Sequence, residues 1–266
     1  EEMLDLKRTP LYETHKSLGA KMTVFAGWEM PVEYSGMKEE HLTVRSAVGL
    51  FDISHLGQIE VSGPKALEAV QLLITNDASR LSDGQVQYNL LCNTSGGILD
   101  DITLYRFNEN RFMFCVNAVS TEKDFTWLKE QVGNTVSVVN RSSDYATLAI
   151  QGPLSQQVLQ KICHTDLSLI KHYRFASSNI IGIESIISRT GYTGEDGFEI
   201  YIPSSATEGI WKRIMEEGKD EGIKPAGLGA RDSLRLEMGY TLYGNDITED
   251  TTPLDAGFER FVKFQK

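Results

Sequence analysis

Cysteine and long apolar runs are both scarce in this chain. Its three cysteines, Cys92, Cys115 and Cys163, lie far apart and form no CxxC pair. This spacing argues against a disulfide framework or a thiolate metal site, and it favours three small core residues in a reducing compartment. No apolar run approaches the ~18 residues that a membrane-spanning helix needs, so the sequence predicts no membrane span.

Basic residues are fewer than acidic residues, and the common nucleotide-binding motifs are absent. With 26 lysines and arginines against 37 acidic residues, the formal charge of -11 repels a phosphate backbone and predicts no nucleic-acid partner. The chain has no GxGxxG, no phosphate-binding P-loop and no GxSxG, and its five histidines form no HExxH, so we expect no metal site. The first ten residues, EEMLDLKRTP, show no targeting pattern, and we therefore expect a cytoplasmic protein.

Helix and strand patterns alternate along the 266 residues, which predicts an α+β fold. Many strands follow one another through short polar turns, and this favours antiparallel sheets with packed helices over a doubly wound parallel sheet. Residues 64–75 and the segment that Pro153 opens repeat apolar residues at helical spacing. Ser205 and Glu208 form a capping box before a third predicted helix.

Two further segments have the alternation of β-strands. Residues 101–117 predict a hairpin that begins at Asp101 and turns at Asn108-Glu109-Asn110. Residues 258–266, FERFVKFQK, also alternate apolar and polar side chains, and we expect a strand there that is cut off within the element.

The stretch GGILDD places two adjacent carboxylates, Asp100 and Asp101, at the start of that hairpin, directly after a flexible glycine turn. Adjacent strand residues point to opposite faces. One aspartate is therefore expected to face a pocket while the other faces solvent or caps the turn, and Thr103 lies on the same side as Asp101. Taken alone, the pattern favours two ordinary turn aspartates.

A glycine-rich loop followed by a strand occupies residues 188–202, SRTGYTGEDGFEIYI. Glu199 falls between Phe198 and Ile200, so its carboxylate points away from theirs. A buried carboxylate needs donors, and a pterin ring offers an amino group beside a ring N–H in a geometry that a carboxylate accepts. The commoner alternative for a single glutamate is an exposed position on an edge strand.

Residues 225–244, PAGLGARDSLRLEMGYTLYG, predict a glycine-led helix with Arg231 and Arg235 on one face. Asp232 lies within pairing reach of Arg235, which is typical of a surface ion-pair ladder. The small residues at the helix start are also typical of a ligand platform, although the signal is weak.

Nine stretches, in order along the chain, together resemble the aminomethyltransferase, or T-protein, family of the glycine cleavage system. They are RTPLYETH, FAGWEMPVEY, GLFDISHLGQ, LITND, GGILDD, FCVNA, LAIQGP, SRTGYTGEDGFE and PAGLGARDSLRLE. The resemblance implies a multi-lobed folate-binding fold. It implies residues 1–55 with 140–250 as a discontinuous first lobe, 56–139 as a second α+β lobe, and 251–266 as the start of a truncated C-terminal barrel domain.

The resemblance also implies an activity and its partners. A lipoylated carrier, the H-protein, presents an aminomethyl group on its dihydrolipoyl sulfur, and tetrahydrofolate takes the methylene as co-substrate while ammonia leaves. Asp101 matches the family's essential aspartate. Five positions match the folate pocket: Tyr88, Asn117, Tyr192, Glu199 and Arg231.

The chain departs from the family pattern at a few points. Leu56 stands where methionine is frequent and Arg260 stands where an apolar residue is usual. The resemblance also leads us to expect a C-terminal barrel that contacts the folate tail, of which residues 251–266 are the start. Two other functions stay open, namely a folate-dependent demethylase of the same fold and a non-catalytic folate-binding relative. The second carries a KGC stretch near position 240, where this chain has EMGYTLYGND.

Overall fold

The computed structural model describes residues 6–266, so the first five residues of the predicted first lobe lie outside the described residues. The chain forms two compact units. Unit 1 contains the residues up to His55 together with Asp144–Tyr240, and unit 2 contains Leu56–Ser143 together with Thr241–Lys266. Over the described range, no helix combines the length and the apolar character that crossing a bilayer demands.

Helices and strands alternate along both units. The strands are β1 Lys7–Arg8, β2 Lys21–Phe25, β3 Trp28–Glu33, β4 Gly49–Asp52, β5 Gly57–Ser62, β6 Gln85–Cys92, β7 Ile98–Asn108, β8 Arg111–Val116, β9 Ser137–Asn140, β10 Tyr145–Gln151, β11 Phe175–Ile180, β12 Ile183–Ser188, β13 Gly197–Pro203 and β14 Lys224–Pro225. The helices are α1 Tyr12–Ser17, α2 Met37–Ser46, α3 Ala66–Leu73, α4 Thr121–Val132, α5 Ser155–Gln160, α6 Thr207–Glu217 and α7 Leu228–Glu237.

Unit 1 is built on a six-stranded sheet in the order β11-β12-β13-β10-β4-β14, beside a small sheet in the order β1-β3-β2. Side chains alternate along β13, so Phe198, Ile200 and Ile202 enter the apolar core beside Trp211 of α6. Glu199 faces the opposite side. Because β13 pairs with both β12 and β10, Glu199 stands on an interior strand.

Unit 2 is a five-stranded antiparallel sheet in the order β6-β7-β8-β5-β9. Helices α3 and α4 pack against the sheet and bury a second apolar core, to which β7 contributes Ile102 and Leu104. Strand β7 pairs with β6 on one side and with β8 on the other. The residues at the start of β7 pair with β6, and β8 joins on the other side from Thr103 onward.

The predicted α+β class with mainly antiparallel sheets is confirmed, and the parallel pairs are the short β1–β3 and β14–β4 contacts. Helices α3 and α5 form within the two segments predicted from apolar spacing. The predicted capping box is wrong. Ser205 lies in a 3-10 turn, α6 begins at Thr207, and the Thr207 hydroxyl donates to the Ser204 carbonyl at 2.7 Å.

The hairpin is confirmed with an earlier start, because β7 begins at Ile98 rather than Asp101. The predicted strand over 258–266 is wrong. Glu259–Phe261 forms a 3-10 turn, and the Lys263 N–H donates to the Thr75 carbonyl at 2.9 Å, which ties this segment to unit 2. The assignment of residues 251–266 to a further barrel domain stays a prediction.

Candidate functional site

The turn that precedes the two aspartates is fixed by side-chain and backbone contacts. Asn93 Oδ1 accepts hydrogen bonds from the N–H groups of Ser95 and Gly97, each at 2.9 Å. Gly96 has φ +86°, a conformation that favours glycine. A Cβ on Gly97 would lie 1.8 Å from the Glu249 carbonyl oxygen, so a side chain at that position is excluded. The start of β7 is thus held in one place.

Asp101 is held by one donor on β6 and one donor just after β8. The Tyr88 hydroxyl of β6 donates to Oδ2 at 2.9 Å, and the Asn117 side-chain amide, just after β8, donates to Oδ1 at 2.9 Å. Tyr88 pairs directly with Thr103, so its side chain reaches Asp101 along the diagonal of the sheet. The structure therefore brings together three of the six residues that the sequence singled out.

Asp100 differs from the expectation. It was expected to face solvent or to cap the turn, but it is fully buried. Its two oxygens accept hydrogen bonds from the backbone N–H of Asn117 at 3.0 Å and from the Asn117 side-chain amide at 2.9 Å. The reason is that β7 already begins at Ile98, so both aspartates lie within the strand. Side chains alternate along a strand, and Asp100 therefore lies on the same side as Ile102, which faces the apolar core. One amide, that of Asn117, bridges both carboxylates.

Burial is the largest influence on the Asp101 carboxyl, and together with the charge of Asp100 it raises the Asp101 pKa to about 7. The hydrogen bonds from Tyr88 and Asn117 act in the opposite direction because they stabilise the carboxylate. The site therefore contains a fixed carboxyl group that changes protonation state close to neutral pH.

Aromatic side chains from the C-terminal segment orient Tyr88. The ring of Phe261 lies 4.7 Å from the Tyr88 ring, and that of Phe258 lies 5.9 Å away, both edge-on. Sequence reasoning missed this contact because it predicted a strand there. The only local signal was the pair of phenylalanines three residues apart.

Glu199 is nine-tenths buried on the interior strand β13, so the alternative of an exposed edge-strand glutamate is wrong. The Thr190 hydroxyl donates to Glu199 Oε2 at 2.6 Å, and the Ser188 hydroxyl lies 2.9 Å from Thr190 Oγ1. The glycine-rich loop thus supplies one internal donor to this carboxylate. No sequence signal identified Thr190.

Tyr192 and Arg231 contact each other in unit 1. The Arg231 guanidinium lies 4.7 Å from the centre of the Tyr192 ring, a cation–π geometry. Tyr240 stacks on Tyr192 with ring centres 5.8 Å apart and an interplanar angle of 23°. Sequence reasoning missed Tyr240, which lies in the stretch EMGYTLYGND. The three side chains form a flat aromatic and cationic surface.

His55 is a further buried polar residue near Arg231. Among residues 6–266, its Nδ1 has no hydrogen-bond partner, and its ring packs edge-on against Phe25 at 5.6 Å. Burial first, and then the Arg231 charge, lower the His55 pKa to about 3. The imidazole is therefore neutral at neutral pH and retains hydrogen-bonding capacity.

The glycine that precedes α7 is bonded and packed within unit 1. The Gly227 N–H donates to Glu40 Oε2 at 2.8 Å, and a Cβ on Gly227 would lie 2.4 Å from the Val32 carbonyl oxygen. The predicted Asp232–Arg235 ion pair forms at 2.8 Å, but Arg235 is buried instead of lying on the surface. This glycine therefore serves close packing.

The predicted site residues thus fall into two groups, one in each unit. Tyr88, Asp101 and Asn117 are joined by direct hydrogen bonds in unit 2. In unit 1, Tyr192 contacts Arg231, and Glu199 is tied to the loop that carries Tyr192. No cluster of three histidine, cysteine or acidic side chains suited to a metal ion occurs in the part of the chain that the structure describes.

The model of the GCVT N-terminal domain family matches residues 11–266. An aminomethyltransferase of Desulfitobacterium hafniense is 51% identical over 265 residues, which cover 99% of this chain and 73% of the relative. An aminomethyltransferase of Thermoanaerobacter pseudethanolicus is 50% identical over 266 residues, covering 99% of this chain and 72% of the relative.

One similar solved structure is the glycine cleavage system aminomethyltransferase T of Bartonella henselae. Its TM-score is 0.91 at 40% identity, and the match covers 98% of this chain and 70% of that chain. A heterotetrameric sarcosine oxidase of Corynebacterium matches with a TM-score of 0.56 at 18% identity, covering 80% of this chain and 95% of that chain, and this likeness concerns the fold alone.

Proposed function

The chain belongs to the aminomethyltransferase family, the T-proteins of the glycine cleavage system, and on that premise we propose that it transfers a methylene group to tetrahydrofolate. The donor in this proposal is an aminomethyl group on the dihydrolipoyl sulfur of a lipoylated H-protein. The products are 5,10-methylenetetrahydrofolate, ammonia and the free dihydrolipoyl thiol. We place the reaction in the cytoplasm.

The proposed reaction is balanced without an oxidant or a metal ion. The carbon–sulfur bond and the carbon–nitrogen bond of the aminomethyl group break, and two new carbon–nitrogen bonds join the methylene to the two folate amines. The two amine protons are transferred to the leaving ammonia and to the thiol. Tetrahydrofolate supplies the pair of amine nitrogens that hold the carbon.

The observation that carries the proposal is the fixed carboxyl of Asp101, held by Tyr88 and Asn117. A carboxylate at a defined position stabilises the positive charge that develops on the carbon as ammonia leaves, and it orients the attacking amine. No covalent bond to Asp101 is needed. This role requires the ionised form, so the Asp101 pKa of about 7 makes transfer pH-dependent.

The residues of unit 1 are suited to the pterin end of the co-substrate. Glu199 is a buried carboxylate, and such a group accepts hydrogen bonds from an exocyclic amino group and a ring N–H side by side. Tyr192, backed by Arg231 and Tyr240, offers a flat surface of the kind that contacts a ring. Their use as folate contacts is part of the proposal.

The proposal is tested by mixing the chain with aminomethylated H-protein and tetrahydrofolate in a single turnover. We expect one methylenetetrahydrofolate and one ammonia for each carrier consumed. Free sarcosine and dimethylglycine serve as competing donors, and we expect no product from them. Product from a methylated amine would instead support a demethylase, and folate binding without product from any donor would support a non-catalytic relative.

A change at Tyr88 is expected to shift the pH dependence of transfer. The Tyr88 hydroxyl stabilises the ionised form of Asp101, so Tyr88→Phe raises the Asp101 pKa above about 7. One hydrogen bond to a charged group is worth roughly 1.5 kcal/mol, or about one pH unit. The acid limb of kcat against pH should therefore move to higher pH by up to about that amount, as measured by single-turnover rates between pH 5.5 and 9.

The ring contacts with Phe258 and Phe261 remain in Tyr88→Phe, so the fold is not expected to change. Tyr145→Phe is the matched control, because Tyr145 lies in unit 1 beside Tyr201. An acid limb that stays in place in Tyr88→Phe would mean that a group other than Asp101 controls the rate.

A further inference from the structure

Asp124 is a buried acid that the proposed reaction does not use. It lies on α4, is 1% exposed, and its backbone N–H donates to the Ser120 carbonyl at 2.8 Å. Within residues 6–266, neither of its carboxyl oxygens has an N–H or O–H donor. An ionised carboxyl that is buried without donors is very costly, so its protonation state needs a physical explanation.

The carboxyl of Asp124 lies next to that of Asp100, and the two form a hydrogen bond when one of them carries a proton. Two carboxylates in direct contact in a buried place cannot both be ionised, and the pair therefore shares one proton. The donors around the pair decide which oxygen carries it. Both Asp100 oxygens already accept N–H groups from Asn117, which favours the ionised form of Asp100.

We propose that Asp124 is a positioning residue that carries the shared proton and donates it in a hydrogen bond to Asp100. Asp100 in turn holds Asn117, and Asn117 holds Asp101. The role of Asp101 in this inference rests on the proposed function, whereas the location of the proton does not.

The surroundings of Asp124 agree with a neutral carboxyl. Burial first, and then the negative charge of Asp100, raise the Asp124 pKa to about 10. Asp101 adds to this effect, and Lys123 on the same helix opposes it. The Lys123 ammonium itself donates to Glu249 at 2.8 Å, so part of its charge is balanced elsewhere.

The acidic groups on the other elements that pack against α4 are either paired with a basic residue or exposed to solvent. Glu60 of β5 is paired with Arg111 at 2.8 Å, and Glu68 of α3 is exposed. Asn140 of β9 contacts Glu122 of α4 itself at 3.4 Å. Asp100 and Asp101 therefore dominate the field at Asp124.

Asp124→Asn and Asp100→Asn are both isosteric substitutions, but they have different effects on the hydrogen bonds around Asn117. In Asp124→Asn the side-chain amide can still donate to Asp100, so the chain from Asp100 through Asn117 to Asp101 is preserved. In Asp100→Asn the new NH₂ group faces one of the two Asn117 donors, and one hydrogen bond is lost. Asp124→Ala removes the donor altogether.

We expect Asp124→Asn to retain methylene transfer within about threefold, whereas Asp124→Ala and Asp100→Asn each lose at least about tenfold. Single-turnover rates with aminomethylated H-protein and tetrahydrofolate measure this. Rescue by asparagine but not by alanine indicates that position 124 acts as a donor. Equal losses in Asp124→Asn and Asp124→Ala would overturn the proposal, and so would full activity in all three variants.

The proton itself is detected by unfolding, which needs no activity. A carboxyl with a raised folded pKa contributes stability at low pH that is lost as the pH rises through that pKa. Asp101 titrates near pH 7 in both chains, so its contribution largely cancels in their comparison. Between pH 7 and 9, Asp124 still holds its proton in the folded chain and is ionised in the unfolded chain. The unfolding equilibrium constant of the wild type relative to that of Asp124→Asn should therefore rise about tenfold per pH unit.

Urea titrations of the two chains at pH 7, 8 and 9 give this ratio. A ratio that does not change with pH would mean that Asp124 is already ionised in the folded chain, and this would overturn the proposal. If Asp101 proved unnecessary for transfer, the unfolding result would still report whether the Asp100–Asp124 pair holds a proton in the folded chain, so the two proposals fail separately.

Discussion

Replacing Asp101 with asparagine is expected to lower the rate of methylene transfer by on the order of a hundredfold or more. The variant removes the negative charge that stabilises the departing aminomethyl carbon. It also places an NH₂ group where a carboxylate oxygen accepts from Tyr88 or Asn117. Single-turnover rates at pH 8, where wild-type Asp101 is ionised, measure the loss.

Asp101→Asn is expected to fold. The Asp101 pKa is raised in the folded chain, so this carboxyl contributes stability at low pH that is lost as the pH rises through about 7. At pH 8 the neutral asparagine avoids the loss of stability that accompanies ionisation of the buried Asp101 carboxyl. Asp83→Asn is the matched control, because Asp83 is exposed in the same unit and pairs with Arg106 at 2.9 Å. Wild-type turnover in Asp101→Asn would refute the assignment of Asp101.

Replacing Glu199 with glutamine is expected to weaken tetrahydrofolate binding by roughly tenfold to a hundredfold. The substitution keeps the volume of the side chain but exchanges one acceptor oxygen for an NH₂ donor, which opposes the donors of a pterin ring. The Thr190 hydroxyl adapts to either partner because it can donate or accept. Equilibrium binding of tetrahydrofolate to the purified chain measures the change.

Glu184→Gln is the control for this substitution, since Glu184 is exposed at the start of the neighbouring strand β12. We expect the loss in Glu199→Gln to appear mainly in KM, because the contact is made before and during transfer alike. Unchanged affinity in Glu199→Gln would remove this residue from the proposed folate site and leave the assignment of Asp101 intact.

Most of the elements that hold the candidate site are visible as local patterns. The hairpin around Asn108 and the helices near residues 66 and 155 follow from alternation and apolar spacing. The family was identified from short stretches spread over the chain, and the family match confirms it. The site residues carried over from that resemblance stay a prediction.

The two errors in the predicted elements have different physical origins. The capping box at Ser205 failed because Thr207 bonds to the Ser204 carbonyl in the preceding 3-10 turn, an arrangement with the same residue types. The strand over 258–266 failed because Phe258 and Phe261 pack against Tyr88, which lies far away in sequence. In the first case the same residues allow a second local arrangement, and in the second case the partner lies outside the segment.

By itself, the sequence determined the family and the α+β class, because these depend on residue type and on the spacing of apolar residues. It did not determine which environment each aspartate meets. Only the tertiary structure placed Asn117 between the two carboxyls and Asp124 next to Asp100. Burial and neighbouring charge set a pKa, and both arise from residues that fold together from distant parts of the chain.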